Sequence, residues 1–159
     1  MRTVGISYKP VRAVNHVRLL VEYAMTFVGQ PYRWGGDDSI DGFDCSGLAQ
    51  ELLASVGMDP PGDQTAQALY NHFERQGERN VYLAGALAFY GQSVTKITHV
   101  AMLVDQYRVV EAGGGGSKTL SKADAASQNA YVRLRPVNHR KDLIAVIRPL
   151  YPMIWASRQ

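Results

Sequence analysis

The chain has 159 residues, 46% of them hydrophobic, with 17 Lys and Arg against 14 Asp and Glu and a single cysteine. That length suits one domain with its own core, and one cysteine excludes both an intrachain disulfide framework and a cysteine-rich zinc site. No uncharged apolar run approaches a membrane span, so stable membrane insertion is not expected, and the net charge of +3 stands without a nucleic-acid-binding motif.

In chain order, residues 1–10 read as irregular. The opening carries Arg2, Lys9, Arg12 and Arg18 with no sustained apolar stretch, so it does not read as a signal peptide. Apolar positions Val14, Val17, Val21, Ala24 and Val28 recur with a helical period, and predict a helix over 11–28 that Gly29 and Pro31 end. An aromatic and glycine turn follows, Pro31-Tyr32-Arg33-Trp34-Gly35-Gly36. Next comes Gly42-Phe43-Asp44-Cys45-Ser46-Gly47-Leu48, which reads as a helix start with Asp44 as N-cap and a thiol in the first turn. Leu48, Ala49, Leu52 and Val56 carry the buried stripe of that helix to about residue 56, and Gly57 with Pro60-Pro61-Gly62 stops it. A second polar helix is predicted over 63–76, with Ala66, Leu69, Tyr70 and Phe73 inward and His72 beside the stripe.

The second half reads as strands over 86–90, 98–104, 108–112, 131–135 and 143–148, with a flexible glycine turn at 113–116. A short helix or loop fits 121–130. Helices first and strands afterwards argue for an α+β fold, with N-terminal helices packed on an antiparallel sheet of about five strands. The whole chain, 1–159, reads as one domain, with 1–10 and 152–159 peripheral. Arg133, Arg135, Arg140, Lys141 and Arg148 read as a solvated basic face, which suits an anionic polymer such as a bacterial cell wall. The four histidines show no metal-ligand spacing, so neither a metal nor a cofactor is expected.

A free cysteine is more often a buried structural residue than a reactive one. Here the helix N-terminus supplies orphan N–H groups and positive dipole, which favour the thiolate. His99 opens the strand over 98–104, after a loop at 91–98. Glu111 lies twelve residues on, in the next strand. A two-residue loop would turn Glu111 away from His99; a three-residue loop at 105–107 sets it opposite Ala101 and diagonal to His99, close enough for long side chains. That register is expected. Cys45 is then the nucleophile and His99 its base. Glu111 accepts from the other imidazole nitrogen. The Cys45 N–H and the Tyr32 phenol are candidate oxyanion donors.

Pro31-Tyr32-Arg33-Trp34-Gly35-Gly36, Phe43-Asp44-Cys45-Ser46-Gly47-Leu48 and Thr98-His99-Val100-Ala101 together resemble the NlpC family of cell-wall cysteine peptidases. The resemblance covers roughly residues 15–150. It implies a circularly permuted papain-like fold and cleavage of peptidoglycan stem peptides, often between D-glutamate, through its γ-carboxyl, and diaminopimelate. It implies Cys45 as nucleophile, His99 as base and Tyr32 as an oxyanion or substrate contact. Asp44 and Ser46 match positions lining the subsite for the stem peptide's free amino end. Three features depart from the family pattern. Glu111 stands where His, Asn or Gln is usual, Gly85-Ala86-Leu87 replaces Gly-Asp-Leu, and Asp63-Gln64-Thr65 replaces Arg-Thr-Ser.

The same Cys–His pair also serves an N-acetylmuramoyl-L-alanine amidase or another amidohydrolase or acyltransferase. A non-catalytic wall-binding or phage structural module is the alternative from another class. The expected location is synthesis in the cytoplasm without a signal peptide and action on the cell wall, as in a bacteriophage lysis or virion protein. The oligomeric state is not fixed by the sequence.

Overall fold

The three larger helices precede the strands of the main sheet, as the order of patterns predicts. The computed structural model describes residues 15–152. The expectations for 1–10, for the start of the first helix at 11–14 and for the tail beyond 152 lie outside the described residues.

Helix α1 spans His16–Thr26, capped by the Asn15 side chain on the Arg18 N–H. Its buried face is Leu20 and Ala24, continued by Phe27. The predicted stripe holds at Ala24, is half-buried at Val17 and Val21, and fails at Val28, which is exposed. The reason is aromatic packing: Tyr23 meets Phe27 edge-on, and Phe27 meets Phe43, at 4.8 and 5.0 Å between ring centres. That contact rotates the helix to the 20–24–27 side. Strands β1, Asp37–Asp38, and β2, Gly42–Phe43, form a small hairpin leading into α2, Cys45–Ala54. Leu48, Ala49, Leu52 and Leu53 are its buried side chains.

Gly47 lets the hairpin close over the start of α2. A Cβ there would lie 2.0 Å from the Gly36 carbonyl oxygen, a backbone atom that cannot swing aside. Gly47→Ala is therefore expected to destabilise the protein by about 2 kcal/mol and lower Tm by roughly 4–8 °C. Thermal unfolding followed by circular dichroism checks this; an unchanged Tm would show that the hairpin gives way freely.

Helix α3, Ala66–Gln76, buries Ala66, Leu69, Tyr70 and Phe73 as predicted. It begins three residues later than expected, because the Thr65 side chain caps the Ala68 N–H. Gly77–Arg79 then forms β3, a short polar edge strand on β8, Leu143–Pro149. Its sequence carries no alternation, so no strand was expected there. The main sheet accordingly has six strands among the described residues rather than about five. Their order is β3-β8-β4-β5-β6-β7, antiparallel throughout. Here β4 is Leu87–Ser93, β5 Lys96–Leu103, β6 Arg108–Gly113 and β7 Tyr131–Pro136. Helix α4, Lys122–Gln128, lies between β6 and β7.

The expected loop at 91–98 is instead the tip of the β4–β5 hairpin. Register shifts at Gly91 and Ser93 let the strands continue through an irregular stretch. His99 therefore lies inside β5, paired with Tyr90, rather than at the strand's start. The main core fills the space between the three larger helices and one sheet face; a smaller cluster around Ala88, Tyr90, Leu103 and Val109 covers the other face.

Candidate active site

The three residues predicted to act together are brought together. Asp44 caps α2: its Oδ1 accepts from the Gly47 N–H at 2.7 Å and from Ser46 Oγ at 3.1 Å. Its Oδ2 accepts from the Gly35 N–H at 3.0 Å, which ties the Trp34–Gly35 turn to the helix. The Leu48 N–H goes to the Asp44 carbonyl. Among the described residues, this leaves the N–H groups of Cys45 and Ser46 uncommitted at the positive end of the helix.

Strands β5 and β6 pair as Met102↔Val110 and Leu103↔Val109, the register that a turn at 105–107 demands. Asp105 builds that turn by accepting from the Tyr107 and Arg108 N–H groups, both at 2.8 Å. Beyond these pairs the first turn of α2 packs at the two strands, where Cys45, Leu48 and Ala49 share a small gap with Val100, Ala101 and Glu111. His99 Nε2 lies 2.5 Å from Glu111 Oε2, and both side chains are buried. Cys45 is within hydrogen-bonding reach of the same imidazole.

Burial alone would push the His99 pKa down. The hydrogen bonds and charges of Cys45 and Glu111 outweigh it and lift the value to about 9. Burial also pushes the Glu111 pKa up, but His99, His139 and Arg135 hold it below the usual carboxylate range. Imidazolium and carboxylate are thus the resting forms near neutral pH.

Tyr32 is buried with its phenol at the groove. Burial first, then the charges of Cys45 and Asp44, push its pKa up, so it stays a protonated donor. Its ring rests on the glycine turn: a Cβ on Gly115 would lie 2.2 Å from a Tyr32 ring carbon. The run 113–116, read as flexible, here permits that close approach.

These residues line one groove of about 600 Å³, with Tyr32, Trp34, Asp44, Cys45, Ser46 and His99 among its walls. Trp34 is half exposed on the rim. The groove also takes in His139 together with Arg135 and Arg140, two residues that read from the sequence as part of a solvated basic face. His139 Nε2 lies 3.2 Å from Glu111 Oε1, and Arg135 Nε lies 3.9 Å from the same oxygen. Strand parity was the available signal for Arg135. Odd-numbered residues of β7 share a face with Glu111, since Glu111 pairs with Arg133 and Val109 with Arg135. No pattern marked His139, which sits in the connection after β7.

Among the described residues, no group of three His, Cys, Asp or Glu side chains is placed to hold a metal ion, and no helix is long and apolar enough to cross a membrane. A thiol, an imidazole and a carboxylate in line at a helix N-terminus can deliver a thiolate to a carbonyl carbon and a proton to a leaving amine.

Residues 29–136 match a family model described as the NlpC/P60 family. The bifunctional muramidase/DL-endopeptidase CwlT of Bacillus subtilis (strain 168) is 34% identical over 111 residues, covering 68% of this chain and 33% of its own. The chain thus spans about a third of the length of that relative. Among solved structures, the NlpC/p60 domain of peptidoglycan hydrolase SagA superposes with a TM-score of 0.61 at 25% identity, covering 84% of this chain and 98% of that one. RipD of Mycobacterium tuberculosis superposes equally, at 0.61 with 18% identity over 85% of this chain and 98% of its own; it is described as a non-catalytic NlpC/p60 domain protein adapted to peptidoglycan binding.

Proposed function

The chain belongs to the NlpC/P60 family, and from that we propose that it is a peptidoglycan hydrolase, a cysteine endopeptidase acting on stem peptides through Cys45, His99 and Glu111. The observation that carries the reading is the buried contact of 2.5 Å between His99 and Glu111, with Cys45 in hydrogen-bonding reach of the same imidazole. A purely binding groove has no use for a buried imidazolium–carboxylate pair aimed at a thiol. Peptide-bond chemistry is supported by relatives named as a DL-endopeptidase and as a γ-DL-glutamyl hydrolase. The bond we assign is γ-D-glutamyl–diaminopimelate.

The steps follow from the geometry. The Cys45 thiolate adds to the γ-carbonyl carbon, and the oxyanion accepts from the Cys45 N–H and the Tyr32 O–H. His99 gives its proton to the departing amine as the C–N bond breaks, leaving a thioester on Cys45. Neutral His99 then takes a proton from water, whose oxygen attacks the thioester and expels the thiolate. The net reaction is amide plus water to carboxylic acid plus amine. Asp44 and Ser46, both on the groove, are the proposed contacts for the stem peptide's free ammonium. Glu111 holds His99 in the productive tautomer and stabilises its charged form.

Product mapping tests this. Peptidoglycan containing diaminopimelate is digested and the soluble fragments are read by tandem mass spectrometry. The expected fragments end in D-glutamate with a free γ-carboxyl and begin with diaminopimelate. Free lactyl ends on the sugars would instead make the protein an amidase. No fragments, with the wall retained on the protein, would make it a binding module like RipD.

A further inference from the structure

Glu111 offers two carboxylate oxygens, and each faces a histidine. Oε2 faces His99 Nε2 at 2.5 Å and Oε1 faces His139 Nε2 at 3.2 Å. The other nitrogen of His139, Nδ1, lies 2.9 Å from the Pro136 carbonyl oxygen. A carbonyl only accepts, so Nδ1 carries a proton; an ionised carboxylate only accepts, so a bond at Nε2 needs a second one.

The segment that carries His139 is fastened on several sides. The Tyr90 hydroxyl donates to the Val137 carbonyl at 2.7 Å, and the Val137 N–H donates to the Tyr107 carbonyl at 2.7 Å. The His139 N–H donates to Pro136 O. Arg140 makes a two-pronged pair with Asp142 at 2.8 and 2.7 Å and lies over the Tyr90 ring. Tyr90 in turn packs its ring against both His99 and His139, each at 5.6 Å between centres. The His139 side chain is only 14% exposed.

We propose that His139 is a positioning residue of the catalytic site: it donates to Glu111 Oε1, keeps that carboxylate ionised, and fixes its rotation so that Oε2 points at His99. Cys45, His99, Glu111 and His139 then form one line in which each side chain faces the next. Without His139, Glu111 is a buried carboxylate with one strong partner, free to rotate or to take up a proton. The charged and titratable groups around it are His99 on β5, Tyr90 on β4, Arg135 on β7, His139 and Arg140 after β7, and Cys45 across His99. Arg135 does not substitute for His139, because at 3.9 Å it is beyond hydrogen-bond distance and its side chain is 44% exposed to screening water.

The inference rests on the thiol-peptidase reading, so its test uses a readout that needs no peptide. The rate of Cys45 alkylation by iodoacetamide is measured from pH 4 to 9 in the wild type, His139→Phe and His139→Gln. Phe keeps an aromatic ring against Tyr90 and donates nothing; Gln restores one neutral donor. In His139→Phe the acidic onset of alkylation is expected to move up by about one pH unit, with about a tenfold loss of rate at pH values below the onset. His139→Gln is expected to recover part of both. An onset unmoved in both variants, even with slower alkylation, would reduce His139 to a structural role and overturn the proposal. If the Phe variant does not fold, the Gln variant alone decides by whether its onset lies above the wild type's. A shifted onset in a protein that releases nothing from peptidoglycan would sink the proposed substrate while leaving this role standing.

Discussion

Cys45→Ala is expected to lower peptide release from peptidoglycan by about ten-thousand-fold or more, while the fold persists. The chain holds a single cysteine, and the proposed thioester forms on its sulfur. Ser46, the adjacent hydroxyl, is committed to Asp44 and does not replace the nucleophile. Cys45 sits in the first turn of α2 and is only partly buried, and alanine is the best helix former, so little stability is at stake. Soluble muropeptide release by chromatography, with circular dichroism on the same sample, checks the prediction. The substitution discriminates because the fold alone does not: the same architecture serves RipD, a protein described as non-catalytic. Wild-type release by the alanine variant would remove Cys45 from the chemistry and leave the His99–Glu111 pair unexplained.

Glu111→Gln is expected to keep the fold and part of the activity, with kcat down about a hundredfold and the alkaline limb moved to lower pH. An amide oxygen still accepts from His99 Nε2, so the tautomer is held, but the negative charge is gone. His99 is raised to about 9 by Cys45 and Glu111 together against the downward push of burial. With the carboxylate removed, imidazolium gives up its proton sooner. The alkaline limb near pH 9 in the wild type therefore falls, and a pH–rate profile measures by how much. Complete loss at every pH would show that the charge itself is required. Stability follows the same linkage. The folded protein binds the His99 proton more tightly than the unfolded chain, whose ordinary value is 6.5. That contribution is full below about 6.5 and disappears as pH rises through about 9. Glu111 has the opposite sign. Its folded value lies below 4.5, so its contribution is present above 4.5 and is lost as pH falls through the folded value.

The grouping of Cys45, His99 and Glu111 was legible because local rules place them. Asp44 is an N-cap type at a helix start, and the cap fixes Cys45 in the first turn. The turn at 105–107 fixes parity, and parity decides that Glu111 meets His99. The parts that were not legible depend on contacts distant in sequence. β3 is a strand because β8 lies beside it; its own three residues carry no pattern. His139 reaches Glu111 because Tyr90, 47 residues before Val137, fastens the segment between β7 and β8. Gly115 reads as flexibility until the Tyr32 ring is seen against it. The predicted stripe of α1 was right at Ala24, half-buried at Val17 and Val21 and wrong at Val28, since aromatic packing at Phe27 and Phe43 turns the buried face toward Leu20 and Phe27.

The most direct measurement uses a dipeptide, L-alanyl-γ-D-glutamate, with the γ-carboxyl converted to a diazomethyl ketone. It presents the proposed acyl half of the stem to the thiolate and traps the attack as a stable thioether. Intact mass and peptide mapping then locate the adduct. One adduct, on Cys45, slowed by the free dipeptide, is the result predicted. No adduct under conditions where iodoacetamide labels Cys45 fully would contradict it, because a reactive thiol would then stand in a groove that does not admit a stem peptide.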